Sequence, residues 1–181
     1  MLEVRQDIRQ RHREKKKLKK ILEKEQGIVS TKPTRKQLQK NKVDPEKAKI
    51  SLAVDLSFDD QMVEKDINSC ASQLMRIYTA NRRSTVPIPI HFTSLKEGSP
   101  MYQQMTKIGG FHSWDIKIHE KSYLELFEKE KIVYLTSESE HVLDELEQNV
   151  TYIIGGLVDH NKKKGLTHTI ATKEGIRTAK L

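Results

Sequence analysis

Three short runs of aliphatic and β-branched residues decide what this chain can fold into: Ile50 to Leu56 (ISLAVDL), Lys131 to Thr136 (KIVYLT) and Val150 to Ile154 (VTYII). Runs this short and this rich in Val and Ile read as buried strands rather than helices. Between them the period changes. Val63, Ile67, Cys70/Ala71, Leu74 and Ile77/Tyr78 recur at helical spacing, predicting a helix that ends near Ala80, with Ser57 and Asp60 as its capping box. A second capping box, Ser137 with Glu140, predicts a helix carrying Val142, Leu143 and Leu146. Val86 to Phe92 (VPIPIHF) reads as a strand, and the missing N–H groups of Pro87 and Pro89 place it at a sheet edge. Met101 to Ile108 reads as a short helix closed by Gly109-Gly110, Asp115 to Ile118 as a strand, and Tyr123, Leu124 and Phe127 as a helical turn. Thr167 caps a last helix that Gly175 stops. Strands alternating with helices specify an α/β domain with a mainly parallel sheet flanked by helices.

Charge divides the chain differently. Residues 1–50 hold 17 Lys/Arg against 7 Asp/Glu, a net +10, whereas residues 51–181 hold 16 against 18, a net −2. The densest block is Arg5, Arg9, Arg11, Arg13, Lys15, Lys16, Lys17, Lys19 and Lys20. Its apolar residues, Val4, Ile8, Leu18, Ile21 and Leu22, make no wide stripe, so a helix here is solvated rather than packed in a core. Gly27 and Pro33 break the pattern before a second basic stretch. The expected organisation is a basic extension over 1–49, helical or disordered, and a domain over 50–181. Phosphate neutralisation is the use such an extension suggests; a solubilising tail or a localisation signal uses the same charges.

Several function classes are excluded or left without support. One cysteine in 181 residues cannot build a disulfide framework, and Cys70 lies on the apolar face of its helix, as a buried thiol does. No apolar run approaches the ~20 residues of a membrane span, and the N-terminal residues contain no apolar signal core. There is no GxGxxG, no phosphate-binding P-loop and no HxxxH among the seven histidines, so no metal is expected; His112 and His119 read as surface or loop residues. Ligands of open α/β sheets sit beyond the carboxyl ends of strands. Two such ends stand out, Leu135-Thr136-Ser137 and Gly155-Gly156-Leu157-Val158-Asp159, where paired glycines allow close approach to the backbone. A tight turn with a surface Asp would use the same residues, and Lys162-Lys163-Lys164 alone would be a solvated face.

Tyr134-Leu135-Thr136-Ser137-Glu138-Ser139 and Tyr152-Ile153-Ile154-Gly155-Gly156-Leu157-Val158-Asp159-His160-Asn161 together resemble the tRNA N1-methyltransferase family that modifies the ninth nucleotide, enzymes of the SPOUT class. Asp55-Leu56-Ser57-Phe58-Asp59, Asn81-Arg82-Arg83 and Lys164-Gly165-Leu166-Thr167 resemble further family segments, and the family also carries a basic N-terminal extension. The resemblance covers about residues 50–181. It implies a trefoil-knotted α/β domain that transfers a methyl group from S-adenosylmethionine to N1 of a tRNA purine, most often guanine. Carried over by position, Leu135, Thr136, Gly155 and Gly156 line the cofactor. His160, Asn161, Lys162, Lys163 and Lys164 close over it, Ala171 and Leu181 complete the wall, and Asp159 accepts a proton. Guanine N1 is protonated at neutral pH, so a carboxylate there has a chemical purpose; adenine N1 needs none. The tRNA contacts expected are Arg9, Arg11, Arg13, Lys15, Lys16, Lys17, Lys19 and Lys20 of the extension, with Arg82 and Arg83 of the domain. The family further implies a monomer of the nucleus or cytoplasm. It continues past the position of Leu181 with another strand, a third cofactor loop and a final helix, so the knot is expected to be incomplete here and the 181 residues alone to bind cofactor and methylate weakly. The alternative reading is an RNA-binding fragment or isoform without catalysis.

Overall fold

The computed structural model describes residues 2–25, 33–158 and 163–181, which form two compact units, 1–35 and 36–181. The first unit is built on one helix, α1 (Leu2–Glu25). It lacks Gly and Pro throughout and is dominated by Lys, Arg, Glu and Leu, all strong helix formers. Asp7 and Arg11 add an ion pair one turn apart, 2.9 Å.

The second unit is an α/β sandwich around one sheet. A short helix, α2 (Arg35–Lys40), leads into β1 (Ser51–Asp55), a 3-10 turn at Asp59–Gln61 and the long helix α3 (Glu64–Asn81). There follow β2 (Ile90–Thr93), α4 (Pro100–Thr106), β3 (Lys117–Ile118), α5 (Tyr123–Leu126), β4 (Ile132–Leu135), β5 (Thr151–Gly155), α6 (Leu166–Lys173) and β6 (Arg177–Ala179). The strands lie in the order β3-β2-β1-β5-β4-β6, and every pairing is parallel. Val54, Leu56, Ile90 and Phe92 pack with Ile67, Cys70, Leu74 and Met101 from α3 and α4. Ala53, Ile132, Tyr134 and Ile153, facing the other way, pack with Tyr123, Ala171 and Ile176. Full burial of each such side chain is worth roughly 1.5–3 kcal/mol, and both faces of the inner strands are used. That explains why these runs are apolar without alternation.

The expected parallel α/β architecture is therefore present, with five local corrections. Ser57 does not cap α3; that helix begins at Glu64 after Val63, and the carboxylate of Asp55 takes the Ser57 amide instead. β2 is an interior strand between β1 and β3, because Pro87 and Pro89 precede it and leave its own donors intact. No helix follows Ser137. Ser139 bonds the Thr178 hydroxyl and its own loop at the His141 amide, and residues 141–143 pair with Lys180 beside β6. Thr167 lies inside α6, whose N-cap is Gly165 at φ 72°. Finally, the boundary falls at residue 35 rather than 49: Asn41 donates to the Arg82 and Ser84 carbonyls, and the Asn149 amide donates to the Lys49 carbonyl, tying 36–49 to the domain.

Candidate functional site

Parallel β4 and β5 end side by side, Leu135 paired with Ile154, and the chain leaves both in the same direction. Their outgoing loops and the first turn of α6 enclose a cleft of about 560 Å³. Leu135, Thr136, Ile154, Gly155, Lys163 and Lys164 line it, with Ser137, Glu138, Leu157, Gly165 and Thr167. Thr136 is 8% exposed, and its amide is held by the Ala179 carbonyl of β6 at 2.9 Å. The Thr167 hydroxyl donates to the Thr136 hydroxyl oxygen at 3.1 Å, joining α6 to the end of β4. Lys163 donates to the Gln61 side chain on the loop after β1. The Val158 amide is 3.4 Å from the Met62 sulfur of the same loop.

The two adjacent glycines have different work. Gly155 faces the cleft, and a Cβ there would lie 2.7 Å from the Thr167 methyl and 3.0 Å from the Tyr134 hydroxyl. Gly156 is buried beneath: a Cβ would meet Leu56 at 2.4 Å and the Asp55 carbonyl at 2.8 Å. Its amide donates to that carbonyl at 2.7 Å, and the Cys70 thiol donates to the Gly156 carbonyl at 3.4 Å. Burial pushes the Cys70 thiol up to about 12, so it is inert, as expected from its place on the apolar face. Under the cleft, the carboxylate of Asp55 accepts from the Ser57 amide (3.2 Å) and the Tyr134 hydroxyl (3.4 Å). Burial raises its pKa despite these donors.

Of the residues expected at the cofactor, Leu135, Thr136, Gly155, Lys163 and Lys164 are thus brought together. Gly156 supports the floor from below. Ala171 is fully buried in the core beneath α6, and Leu181 is 91% exposed at the chain end, so neither forms part of the cleft wall. Asp159, His160, Asn161 and Lys162 lie outside the described residues. Leu157 belongs to a strand end already singled out, whereas Thr167 joins the lining from a helix where only a cap was expected. A Thr two residues past a Gly reads as a helix cap, and only the packing of α6 on β5 distinguishes the two roles. Among the basic residues, Arg9, Arg11, Arg13, Lys15, Lys17 and Lys19 are exposed on α1, while the side chains of Lys16 and Lys20 lie outside the described set. Arg83 is exposed. Arg82 is committed elsewhere: its guanidinium sits 5.5 Å from the Tyr78 ring centre and its Nε donates to the Leu38 carbonyl. Tyr78 in turn stacks on Trp114 at 4.4 Å.

A second hollow of about 500 Å³ opens beyond β1 and β2, lined by Ser57, Asp59, Asp60, Ser94, Glu120 and Glu125 among others. Its charged lining is four carboxylates and Lys96, against Lys163, Lys164 and Glu138 in the first cleft. Among the described residues no three His, Cys, Asp or Glu side chains converge as a metal site, and no helix is long and apolar enough to cross a membrane.

A parallel α/β sheet with a polar, lysine-rimmed cleft outside two adjacent strand ends is the arrangement in which open α/β domains place their ligands. The whole chain, residues 1–181, matches the family tRNA (guanine(9)-N(1))-methyltransferase TRM10/TRM10A, and it belongs to that family. The tRNA (guanine(9)-N(1))-methyltransferase Trmt10A of Drosophila melanogaster is 44% identical over 161 residues, 87% of this chain and 50% of its own length. The tRNA (guanine(9)-N1)-methyltransferase of Schizosaccharomyces pombe is 38% identical over 175 residues, 93% of this chain and 57% of its own. A crystal structure of full-length spTrm10 in complex with SAH superimposes with a TM-score of 0.70 at 37% identity, covering 74% of this chain and 76% of that one. The chain spans about half the length of the curated relatives it matches.

Proposed function

We propose that this protein transfers the methyl group of S-adenosylmethionine to N1 of the guanine at the ninth position of tRNA. The observation that carries the proposal is the Thr136–Gly155–Lys164 cleft at the ends of β4 and β5, in a chain of this family. Its size suits a nucleoside with a short amino-acid tail, within the ~300–1,000 Å³ typical of ligand sites. The lining suits it too. Leu135, Ile154 and Leu157 offer apolar surface to a purine, Thr136 and Glu138 offer hydrogen bonds to a ribose, and Lys163 and Lys164 offer positive charge to a carboxylate. That spTrm10 is solved with SAH, the demethylated cofactor, agrees with this assignment.

The bound cofactor supplies an electrophilic sulfonium methyl. The protein has to align the acceptor and remove its proton. Guanine N1 carries a proton at neutral pH, and its lone pair is free to attack only as that proton leaves. By resemblance Asp159 takes it. Asp159→Asn keeps size and polarity but cannot accept the proton, so single-turnover methylation should slow by about 10²–10⁴-fold. SAH affinity should stay within about twofold, since asparagine keeps the size and polarity of the aspartate. An unchanged rate at every pH would remove Asp159 from the chemistry. The overall proposal is tested by labelled methyl transfer to a tRNA transcript carrying guanine or adenine at position nine. Incorporation only with guanine is expected; tRNA binding without incorporation at either base would favour a purely RNA-binding role. The proposal includes a monomer acting in the nucleus or cytoplasm, which sedimentation and imaging of the tagged protein would check.

A further inference from the structure

We propose that Thr167 is a positioning residue of the cleft, one that aims the hydroxyl of Thr136 at the bound nucleoside. The inference rests on reading the cleft as the cofactor site. Thr167 occupies the first turn of α6, and its hydroxyl donates to the Thr136 oxygen at 3.1 Å. A hydroxyl has one proton to give and can accept as well. Once Thr136 accepts from Thr167, its own proton is the one left to donate, and among the described residues nothing accepts it. Thr136 itself is held firmly, 8% exposed, with its amide on the Ala179 carbonyl. Its remaining donor is therefore directed at whatever acceptor enters the cleft that it lines. The group it suits is an acceptor atom of the ligand, such as a ribose or carboxylate oxygen or a ring nitrogen.

The neighbouring glycine explains how Thr167 comes close enough. Its methyl lies where a Cβ on residue 155 would come within 2.7 Å, so α6 can settle against the end of β5 only because position 155 has no side chain. The contact brings three cleft residues from three elements into one unit: Thr136 after β4, Gly155 of β5 and Thr167 of α6. Thr167 does not have to touch the ligand for this to matter, because it decides which way the Thr136 proton points.

NMR titration of the 181-residue chain with SAH tests the proposal, since it reads weak and tight affinities alike. Thr167→Val keeps volume and branching but removes the donor, and should weaken SAH about three- to tenfold, the effect of one oriented hydrogen bond. Thr167→Ser restores the hydroxyl and should bring affinity back to within about twofold. In Thr136→Val the hydroxyl being aimed is gone, so adding Thr167→Val should cost little more. Thr167→Ala, read in parallel, separates loss of the hydroxyl from any effect of the extra methyl, and the free-protein spectra report whether each variant is folded. A Thr167→Val affinity equal to wild type, losses that simply add in the double variant, or a Thr167→Ser as weak as Thr167→Val would overturn the proposal while leaving the cofactor reading standing. Wild-type chain whose cleft signals ignore SAH would overturn both.

Discussion

Two buried ionisable groups oppose each other in their response to acid. His91, on β2, is 8% exposed and shares a 3.1 Å contact between its Nδ1 and His119 Nε2. Burial, with the charge of Lys117 and the neighbouring His119, lowers the His91 pKa to about 4, while His119 is also lowered. The folded state therefore prefers the neutral ring. Stability is full above the ordinary value of 6.5 and is lost as pH falls from there toward 4, where the loss levels off. The amount is on the order of 2–3 kcal/mol. Denaturant titrations at steps between pH 7 and 4 should show this loss, and His91→Leu should flatten it; an unchanged profile would assign the acid limit to other groups. Asp55 behaves oppositely. Its pKa is raised by burial, so its charge opposes folding at neutral pH, and that cost begins to fall at the raised value and is gone once pH drops below the ordinary 3.8. Asp55→Asn should be at least as stable as wild type at pH 7, with the difference closing on acidification. A less stable Asn variant at pH 7 would mean that the Ser57 and Tyr134 hydrogen bonds outweigh the cost of burying the charge. The sequence marks Asp55 as the one carboxylate in an apolar strand, but nothing local says that a tyrosine two strands away would cover it.

At the scale of elements, the inner strands β1, β4 and β5 were legible because both their faces are buried, which demands apolar residues without interruption. The same holds for α3, whose apolar stripe meets the sheet. The failures share a cause: side-chain oxygens that can cap a helix can equally bond to other groups. Ser57, Ser137 and Thr167 all have cap-like spacing, yet none caps a helix: Asp55 holds the Ser57 amide, the loop after Ser137 pairs with Lys180, and the Thr167 hydroxyl donates to Thr136. For the cleft, position was legible and lining was only partly so. Strand ends and a Gly-Gly pair pointed to where the cleft lies, yet which glycine faces the cleft depends on the turn. Gly156 is the buried one, hemmed in by Leu56 and the Asp55 backbone. Gly156→Ala should destabilise the domain by about 1–3 kcal/mol, since the carbonyl at 2.8 Å cannot swing aside as a side-chain end could. It should also weaken SAH by displacing the loop that follows. Thermal unfolding equal to wild type would show that the turn has room to spare.

The whole molecule separates charge from fold. Residues 1–35 contain 12 Lys/Arg against 5 Asp/Glu, a net +7, and 36–181 contain 21 against 20, a net +1. The described bases of the first unit are exposed, while the second carries the sheet and the cleft. The basic excess and the cleft thus lie on different lengths of chain, and what each contributes should be separable. If α1 binds tRNA through phosphates, each contact releases counterions and contributes roughly 0.7–0.9 to the slope of log affinity against log salt. Deleting residues 1–35 should therefore weaken tRNA binding and reduce that slope by several units, while SAH titration of the remaining domain stays as in the full chain. Two single variants calibrate the experiment. Arg83→Ala, exposed on the domain, should reduce the slope by about one unit if it meets a phosphate. Arg82→Ala should leave the slope nearly unchanged and lower thermal stability instead, because its guanidinium lies over Tyr78 and its Nε holds the Leu38 carbonyl. A truncated domain that keeps both affinity and slope would place the phosphate contacts on 36–181, and the basic helix would then serve some purpose other than holding tRNA.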